Sequence, residues 1–226
     1  MNVEQARFNM IEQQVRPWEV LDGSVLHLLS AVRREDFVPK AYQGLAFMDM
    51  EIPLGGNRWL LPPRVEARLV QDLQLSKRDT VLQIGAATGF VTALLAHKAQ
   101  RVIAMEGDAG LASQARANLR QAGVNNAEVV EGSGASGLAA QAPYDAILLM
   151  GSVADVPSAL LDQLRDGGRL LAIVGQDPMM RATLYTKAAP GQWHREDLCP
   201  RRLGVHAVAS WSEEFPVSQG AERPRR

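Results

Sequence analysis

A short apolar run that leads into a turn of small residues is the strongest chemical signal in this sequence. The turn consists of Gly85, Ala86, Ala87, Thr88 and Gly89, and it follows the mostly apolar residues 81–84, Val-Leu-Gln-Ile. Small side chains let the backbone approach a ligand closely, and the start of a following helix offers unpaired N–H groups. The pattern predicts a cofactor loop between a buried strand and a helix.

An acidic residue at the end of the next predicted strand strengthens this interpretation. Glu106 comes 21 positions after Gly85, near the spacing of about 20 at which a carboxylate meets ribose hydroxyls. The loop and the acid together predict a nucleoside-type ligand. A purely structural turn, with Glu106 at a solvated strand end, remains an alternative. A nicotinamide-dependent oxidoreductase is another, although its Gly-x-Gly-x-x-Gly pattern would need glycines at Ala87 and Phe90.

Composition argues against several other classes of protein. The 226 residues are 46 % apolar and 22 % charged, as in ordinary globular proteins. A net charge of -1 provides no broad field for nucleic acid or anionic lipid, so neither is an expected partner. We find no signal-like start and no apolar run of about 20 residues, and therefore expect a cytoplasmic location without a membrane partner. The histidines lack metal-ligand spacing and Cys199 is a single cysteine, so no metal site is expected.

The elements that would position the loop are those of an α/β fold. After residue 75 the pattern predicts strands at residues 80–84, 101–106, 127–130, 144–150 and 169–174, with helices at 89–97, 108–122 and 157–164. Two later strands, 182–187 and 204–210, could pair antiparallel. Residues 1–75 look helical, apart from a predicted loop at 51–63 that could include a short extended piece. We expect one domain over 1–217 and a disordered tail at 218–226.

Several segments resemble the S-adenosylmethionine-dependent protein-L-isoaspartate O-methyltransferases. Residues 32–39, Val-Arg-Arg-Glu-Asp-Phe-Val-Pro, are similar to the Arg-Glu-x-Phe-Val-Pro segment of that family. Residues 52–55, Ile-Pro-Leu-Gly, resemble its Pro-Ile-Gly, and Pro63 matches a proline that follows. The nucleotide-binding half is similar at residues 81–89, 102–106, 142–147 and 167–170. The resemblance covers roughly residues 11–175.

The resemblance implies a doubly wound, mostly parallel, seven-stranded sheet of the Rossmann-like methyltransferase type, with S-adenosylmethionine as cofactor. Residues 85–89 would line the methionine part, Glu106 would hold the ribose, and Gly132 and Ser133 would lie beside the adenine. The implied reaction is methyl-esterification of isoaspartyl carboxyls in a damaged protein or peptide, which would serve protein repair. Catalysis would then depend mainly on positioning two reactants. The oligomeric state is left open.

The sequence also departs from the family at both sides of the implied site. Arg58, Trp59 and Leu61 fall in the segment where the family carries Gln-Thr-Ile-Ser, so two hydroxyl side chains are replaced by apolar ones. Arg58 could pair with an anionic substrate or remain solvated, and Trp59 could be core or a flat wall for another acceptor. On the cofactor side, Gln83 replaces Glu, Ala87 replaces Gly and Ser133 replaces Asp. A non-catalytic or re-purposed S-adenosylmethionine-binding module is therefore the alternative function.

Overall fold

The computed structural model describes residues 2–56, 58–176 and 179–198. Its α-helices are α1 (Val3–Met10), α2 (Gly23–Ala31), α3 (Pro63–Asp72), α4 (Phe90–Lys98), α5 (Ala109–Gln121) and α6 (Ser158–Asp162). Its strands are β1 (Ile52–Gly55), β2 (Arg58–Leu60), β3 (Thr80–Ile84), β4 (Arg101–Glu106), β5 (Ala127–Glu131), β6 (Tyr144–Val153), β7 (Leu164–Gln176), β8 (Met179–Ala189) and β9 (Gln192–Asp197). Among these helices, none has the length and apolar character needed to cross a bilayer.

Seven of the strands form one sheet in the order β5-β4-β3-β6-β7-β8-β9. Strands β3 to β7 pair in parallel, whereas β8 runs antiparallel to both β7 and β9. The chain moves outward from β3 through β4 to β5 and then returns to place β6 on the other side of β3. Ligands of open α/β sheets bind where the strand order reverses, at the carboxyl ends of the strands. The predicted doubly wound, mostly parallel sheet is confirmed.

The sheet is covered on both faces, as the continuous apolar runs of its central strands require. Val81 and Ala104 face one cluster of buried side chains, while Leu82 and Ile84 face another. The first cluster packs against α3, α4 and α5, and includes side chains of the N-terminal helical segment. The second packs against α6 through Leu160. The strand ends are thereby fixed rigidly enough to position a site.

Two segments differ from the sequence-based expectation. Residues 51–63, predicted as a loop, contain the antiparallel hairpin β1–β2, a separate two-stranded sheet with Ile52 opposite Leu60. Gly55 and Gly56 supply backbone with φ of +89° and +55° next to its turn, which other residues rarely adopt. The second segment follows β8. Pro190 and Gly191 form a turn, and β9, a strand that was not predicted, comes after it and pairs with β8. The predicted strand 204–210 and tail 218–226 lie outside the described residues.

Candidate active site

The loop after β3 is clamped onto the end of β4. The N–H groups of Gly85 and Ala86 both donate to the carbonyl of Met105, at 2.9 and 3.0 Å. Gly85 has φ of +90°, and Ala87 has φ of +49° although it carries a Cβ. The loop therefore turns sharply beside Glu106, and Ala87 holds a left-handed conformation that costs an L residue roughly 1–2 kcal/mol.

Gly89 ends the loop and caps α4. It has φ of +92°, and a Cβ at this position would lie 3.3 Å from Cγ of Leu119 on α5. Thr88 is fully buried, and its carbonyl accepts a hydrogen bond from Asn118 of α5 at 2.9 Å. Gly89 and Thr88 thus pack the loop against α5. Neither residue is among those that line the cleft described below.

Gln83 braces the same loop from the sheet. Its Oε1 accepts from Thr92 Oγ1 at 2.8 Å, and its Nε2 donates to the carbonyl of Gly85 at 3.0 Å. The side chain is fully buried. An amide can both donate and accept, whereas an ionised glutamate can only accept. The Gln83 amide therefore supports the backbone of Gly85, and it lies outside the lining of the cleft.

The carboxylate of Glu106 connects three parts of the site. It is only 2 % exposed. Its Oε2 accepts from the N–H of Ala87 at 2.8 Å, and its Oε1 accepts from the N–H of Asp108 at 3.1 Å. Oε1 also accepts from Nη1 of Arg58 on β2 at 3.2 Å. Glu106 therefore ties the loop, the start of α5 and the hairpin together.

A cleft with a cavity volume of about 40 Å³ opens between the loop and the hairpin. Four of the predicted cofactor residues line it, and so do all three predicted substrate-side residues: Gly85, Ala86, Ala87, Glu106, Arg58, Trp59 and Leu61. The remaining lining residues were missed by the sequence analysis: Leu60, Glu66, Val91, Leu111 and Met150. Met150 could have been found, because it falls near the carboxyl end of the strand beside β3.

Gly132 and Ser133 lie at the same sheet edge as Glu106 but outside this lining. The N–H of Gly132 donates to the carbonyl of Glu106 at 2.9 Å, and its φ is +155°. The Ser133 side chain is exposed, and its Oγ accepts from the N–H of Ala135 at 3.3 Å. This backbone hydrogen bond places the loop after β5 next to Glu106. That Gly132 and Ser133 lie beside the adenine remains a prediction.

The two positions that lose hydroxyls differ in environment. Trp59 is 38 % exposed and lines the cleft, so it is a wall and not core. Leu61 is 2 % exposed, and its carbonyl accepts from Nη2 of Arg34 at 2.9 Å. The side chain of Leu61 therefore belongs to the core as much as to the cleft.

A buried ion pair supports the hairpin side of the cleft. Arg34 is 1 % exposed, donates to the carbonyls of Ala46 and Leu61, and pairs with the buried carboxylate of Glu66. Its guanidinium carbon also lies 5.0 Å from the ring centroid of Phe90, the first residue of α4. Burial raises the pKa of Glu66 to about 7, while the positive charge of Arg34 opposes that rise. Arg34 thus connects the hairpin side to the helix that follows the loop.

Across the described ranges, no group of three or more His, Cys, Asp or Glu is placed to hold a metal ion. The cleft instead offers loop backbone, one buried acid at a strand end and a hairpin wall. This arrangement suits an organic ligand with hydroxyl groups to donate.

The sheet order and the helices that cover it have the Rossmann-like fold of known methyltransferases. A solved protein-L-isoaspartate O-methyltransferase superposes with a TM-score of 0.72, covering 92 % of this chain and 67 % of that chain at 22 % identity. A Plasmodium falciparum chain described as the same enzyme, in complex with S-adenosyl-L-homocysteine, has a TM-score of 0.71 at 18 % identity, covering 88 % of this chain and 96 % of that chain.

Sequence comparison gives the family. Residues 5–201 match the profile of the protein-L-isoaspartate (D-aspartate) O-methyltransferase family. The protein-L-isoaspartate O-methyltransferase of Koribacter versatilis is 36 % identical over 192 residues, which are 85 % of this chain and 86 % of the relative. That of Methanoculleus marisnigri is 38 % identical over 169 residues, 75 % of this chain and 77 % of the relative. The chain belongs to this family and is an S-adenosylmethionine-dependent methyltransferase. The nicotinamide-dependent alternative is wrong.

Proposed function

We propose that this protein transfers a methyl group from S-adenosylmethionine to the side-chain carboxyl of L-isoaspartyl residues in damaged proteins. Methyl-esterification of this kind would begin protein repair, and we assign it to the cytoplasm. The observation that carries the proposal is the placement of Glu106 on one wall of a cleft whose floor is the Gly85 to Ala87 backbone and whose other wall is the hairpin.

The residues of the cleft fit the cofactor. Oε2 of Glu106 takes one backbone hydrogen bond from Ala87, and since a carboxylate oxygen accepts about two, it retains capacity for a ribose hydroxyl. The small residues Gly85 and Ala86 leave room for the methionine part. Gly132 and Ser133, held beside Glu106 by a backbone hydrogen bond, would contact the adenine.

When bound, S-adenosylmethionine supplies an electrophilic methyl group on a sulfonium sulfur. An oxygen of an acceptor carboxylate held beside that methyl group would form the new C–O bond as the C–S bond breaks, with the electron pair of that bond left on sulfur. The products are a methyl ester and S-adenosylhomocysteine. Because a carboxylate is already a nucleophile near neutral pH, the residues of the cleft need only hold both reactants in line.

The floor and both walls of the cleft contribute to that positioning. Glu106 fixes the nucleoside end, and the loop backbone fixes the methionine end. The wall formed by Trp59 and Leu60 keeps water from the reacting carboxylate, since both side chains line the cleft. Excluding water strengthens the electrostatic interactions inside.

A methyl-transfer assay with paired peptides tests this function. Purified protein is incubated with S-adenosylmethionine carrying a labelled methyl group and a peptide with one L-isoaspartyl residue, or the same peptide with ordinary L-aspartate. We expect base-labile methyl ester on the isoaspartyl peptide and background incorporation on the aspartyl control. Equal incorporation into both peptides would reject the acceptor, and absence of incorporation together with binding of S-adenosylhomocysteine would support the alternative of a binding module.

A further inference from the structure

Arg58 and a bound ribose would compete for the same carboxylate oxygen. Oε1 of Glu106 accepts from the N–H of Asp108 at 3.1 Å and from Nη1 of Arg58 at 3.2 Å. Two donors fill the acceptor capacity of one carboxylate oxygen. The backbone donor is fixed at the start of α5, whereas the arginine donor belongs to a side chain that is 27 % exposed. A ribose that uses both oxygens of Glu106 must therefore displace Arg58.

Among the described residues that line the cleft, Arg58 is the one with a positively charged side chain. The other charged residues of that lining are Glu66, which pairs with Arg34, and Glu106. Trp59 and Leu61 contribute no hydroxyl donor on the hairpin side. An acceptor carboxylate that enters the cleft therefore finds its strongest available donor in Arg58, because a charged guanidinium binds carboxylates about twice as strongly as a neutral donor.

We propose that Arg58 is a specificity-determining residue that binds Glu106 when the cleft is empty and binds the acceptor carboxylate once a nucleoside occupies Glu106. The inference rests on the proposed function and adds a coupling between the two reactants. Binding of the cofactor breaks the Arg58–Glu106 ion pair, and Nη1 of Arg58 then donates to the acceptor carboxylate instead. The acceptor carboxylate then binds more tightly after the cofactor than before it.

The proposal has two thermodynamic consequences. Without Arg58 the ribose no longer displaces an ion pair, so S-adenosylhomocysteine should bind more tightly, by about threefold for a partly exposed pair. Without Arg58 the acceptor also loses its charged donor. Coupling between two ligands is reciprocal, so in the wild-type protein each ligand should raise the affinity of the other by the same factor.

Calorimetry on the full chain tests both consequences. S-adenosylhomocysteine is titrated into wild type, Arg58→Gln and Arg58→Lys, and an isoaspartyl peptide is then titrated with and without saturating S-adenosylhomocysteine. In wild type we expect the peptide to bind about fivefold more tightly when S-adenosylhomocysteine is present. In Arg58→Gln we expect about threefold tighter S-adenosylhomocysteine binding. The affinity for the peptide should then be nearly the same with and without S-adenosylhomocysteine, and the KM for the peptide should rise at least tenfold. Arg58→Lys keeps the charge and should recover part of the coupling.

Arg101→Gln is the matched control, because Arg101 makes an exposed ion pair with Glu128 at the amino end of β4, away from the cleft. It should behave as wild type in every titration. The inference is overturned if Arg58→Gln binds S-adenosylhomocysteine equally or more weakly, or if it keeps the wild-type coupling. Absence of any S-adenosylhomocysteine binding to wild type is a different result, which overturns the proposed function itself.

Discussion

The carboxylate of Glu106 accepts a hydrogen bond from the backbone N–H of Ala87 at 2.8 Å. The acid at the end of β4 thus holds the middle of the loop that follows β3, at the one loop residue with both a Cβ and a positive φ. The shape of the loop and the position of the acid are therefore one structural feature. A change at either residue should be felt at the other.

Replacing Ala87 with glycine should stabilise the protein. Ala87 holds φ of +49°, so Ala87→Gly removes left-handed strain of roughly 1–2 kcal/mol while adding part of that in unfolded-state entropy. We expect the free energy of unfolding in urea to rise by about 0.5 kcal/mol. Ala86→Gly is the control, since Ala86 is buried without positive φ and should lose about 0.5–1 kcal/mol. A loss at both positions would contradict the strain at Ala87.

Adding a methyl group at Gly89 should destabilise the protein by crowding as well as strain. Its Cβ would lie 3.3 Å from Cγ of Leu119, whereas Gly123, at φ of +71°, has open space around it. Gly123→Ala should therefore lower the free energy of unfolding by about 1 kcal/mol, through backbone strain alone. Gly89→Ala should lower it by about 2–3 kcal/mol, through strain and crowding together. Urea unfolding of both variants measures the difference. Equal losses would show that α5 moves away without cost.

The buried carboxyl of Glu66 should make stability depend on pH. Burial raises its pKa from the ordinary 4.5 to about 7, so the native protein binds this proton more tightly than the unfolded chain does. The resulting stabilisation is fully present below pH 4.5 and is lost as the pH rises through about 7.

The test compares wild type with Glu66→Gln, which cannot titrate. The free energy of unfolding of wild type, relative to this variant, should fall by roughly 3 kcal/mol between pH 4.5 and 8. Glu128→Gln changes an exposed carboxylate paired with Arg101 and should retain the wild-type profile. A constant difference between wild type and Glu66→Gln across this range would show that Arg34 keeps Glu66 ionised throughout.

Restoring a hydroxyl at Trp59 should improve use of the isoaspartyl acceptor. Trp59 is exposed enough to be replaced at little cost to the core, and Trp59→Thr adds a donor on the hairpin wall. One hydrogen bond to a charged group contributes about 1.5–3 kcal/mol, so KM for the isoaspartyl peptide should fall about tenfold or more. Leu61→Ser, at 2 % exposure, should instead lose about 2–4 kcal/mol of stability. An unchanged KM in Trp59→Thr would mean that the acceptor does not approach this wall.

Much of the fold could be predicted from the sequence because its elements have clear periodicity. Every central strand from β3 to β7 was found, and the helix predicted at 108–122 corresponds to α5, which Asp108 caps by accepting from the N–H of Leu111 at 2.8 Å. Strand β9 was missed because it is a polar, exposed edge strand without an apolar face. The hairpin β1–β2 was missed because Pro53 and the glycines at 55 and 56 mask its short strands.

The site was predicted through its loop and acid, but the roles within it required coordinates. The family resemblance placed Gln83 on the cofactor side, yet its amide is used internally by Thr92 and Gly85. Glu66 was missed because the sequence pattern of α3 gives no sign that Arg34, 32 residues earlier, neutralises it. Contacts between residues distant in sequence are set by packing, which periodicity does not reveal.

The central claim is that Glu106 and the loop from Gly85 to Ala87 hold the adenosine-bearing cofactor. Titration of S-adenosylhomocysteine by calorimetry into wild type, Glu106→Gln and Glu131→Gln tests this claim most directly. Glu131→Gln is the control, because Glu131 is the partner of Glu106 at the end of the neighbouring strand and lies outside the cleft lining. We predict saturable 1:1 binding to wild type and Glu131→Gln, and binding at least tenfold weaker to Glu106→Gln. Equal affinity of all three proteins, or no heat at millimolar ligand, would contradict the claim.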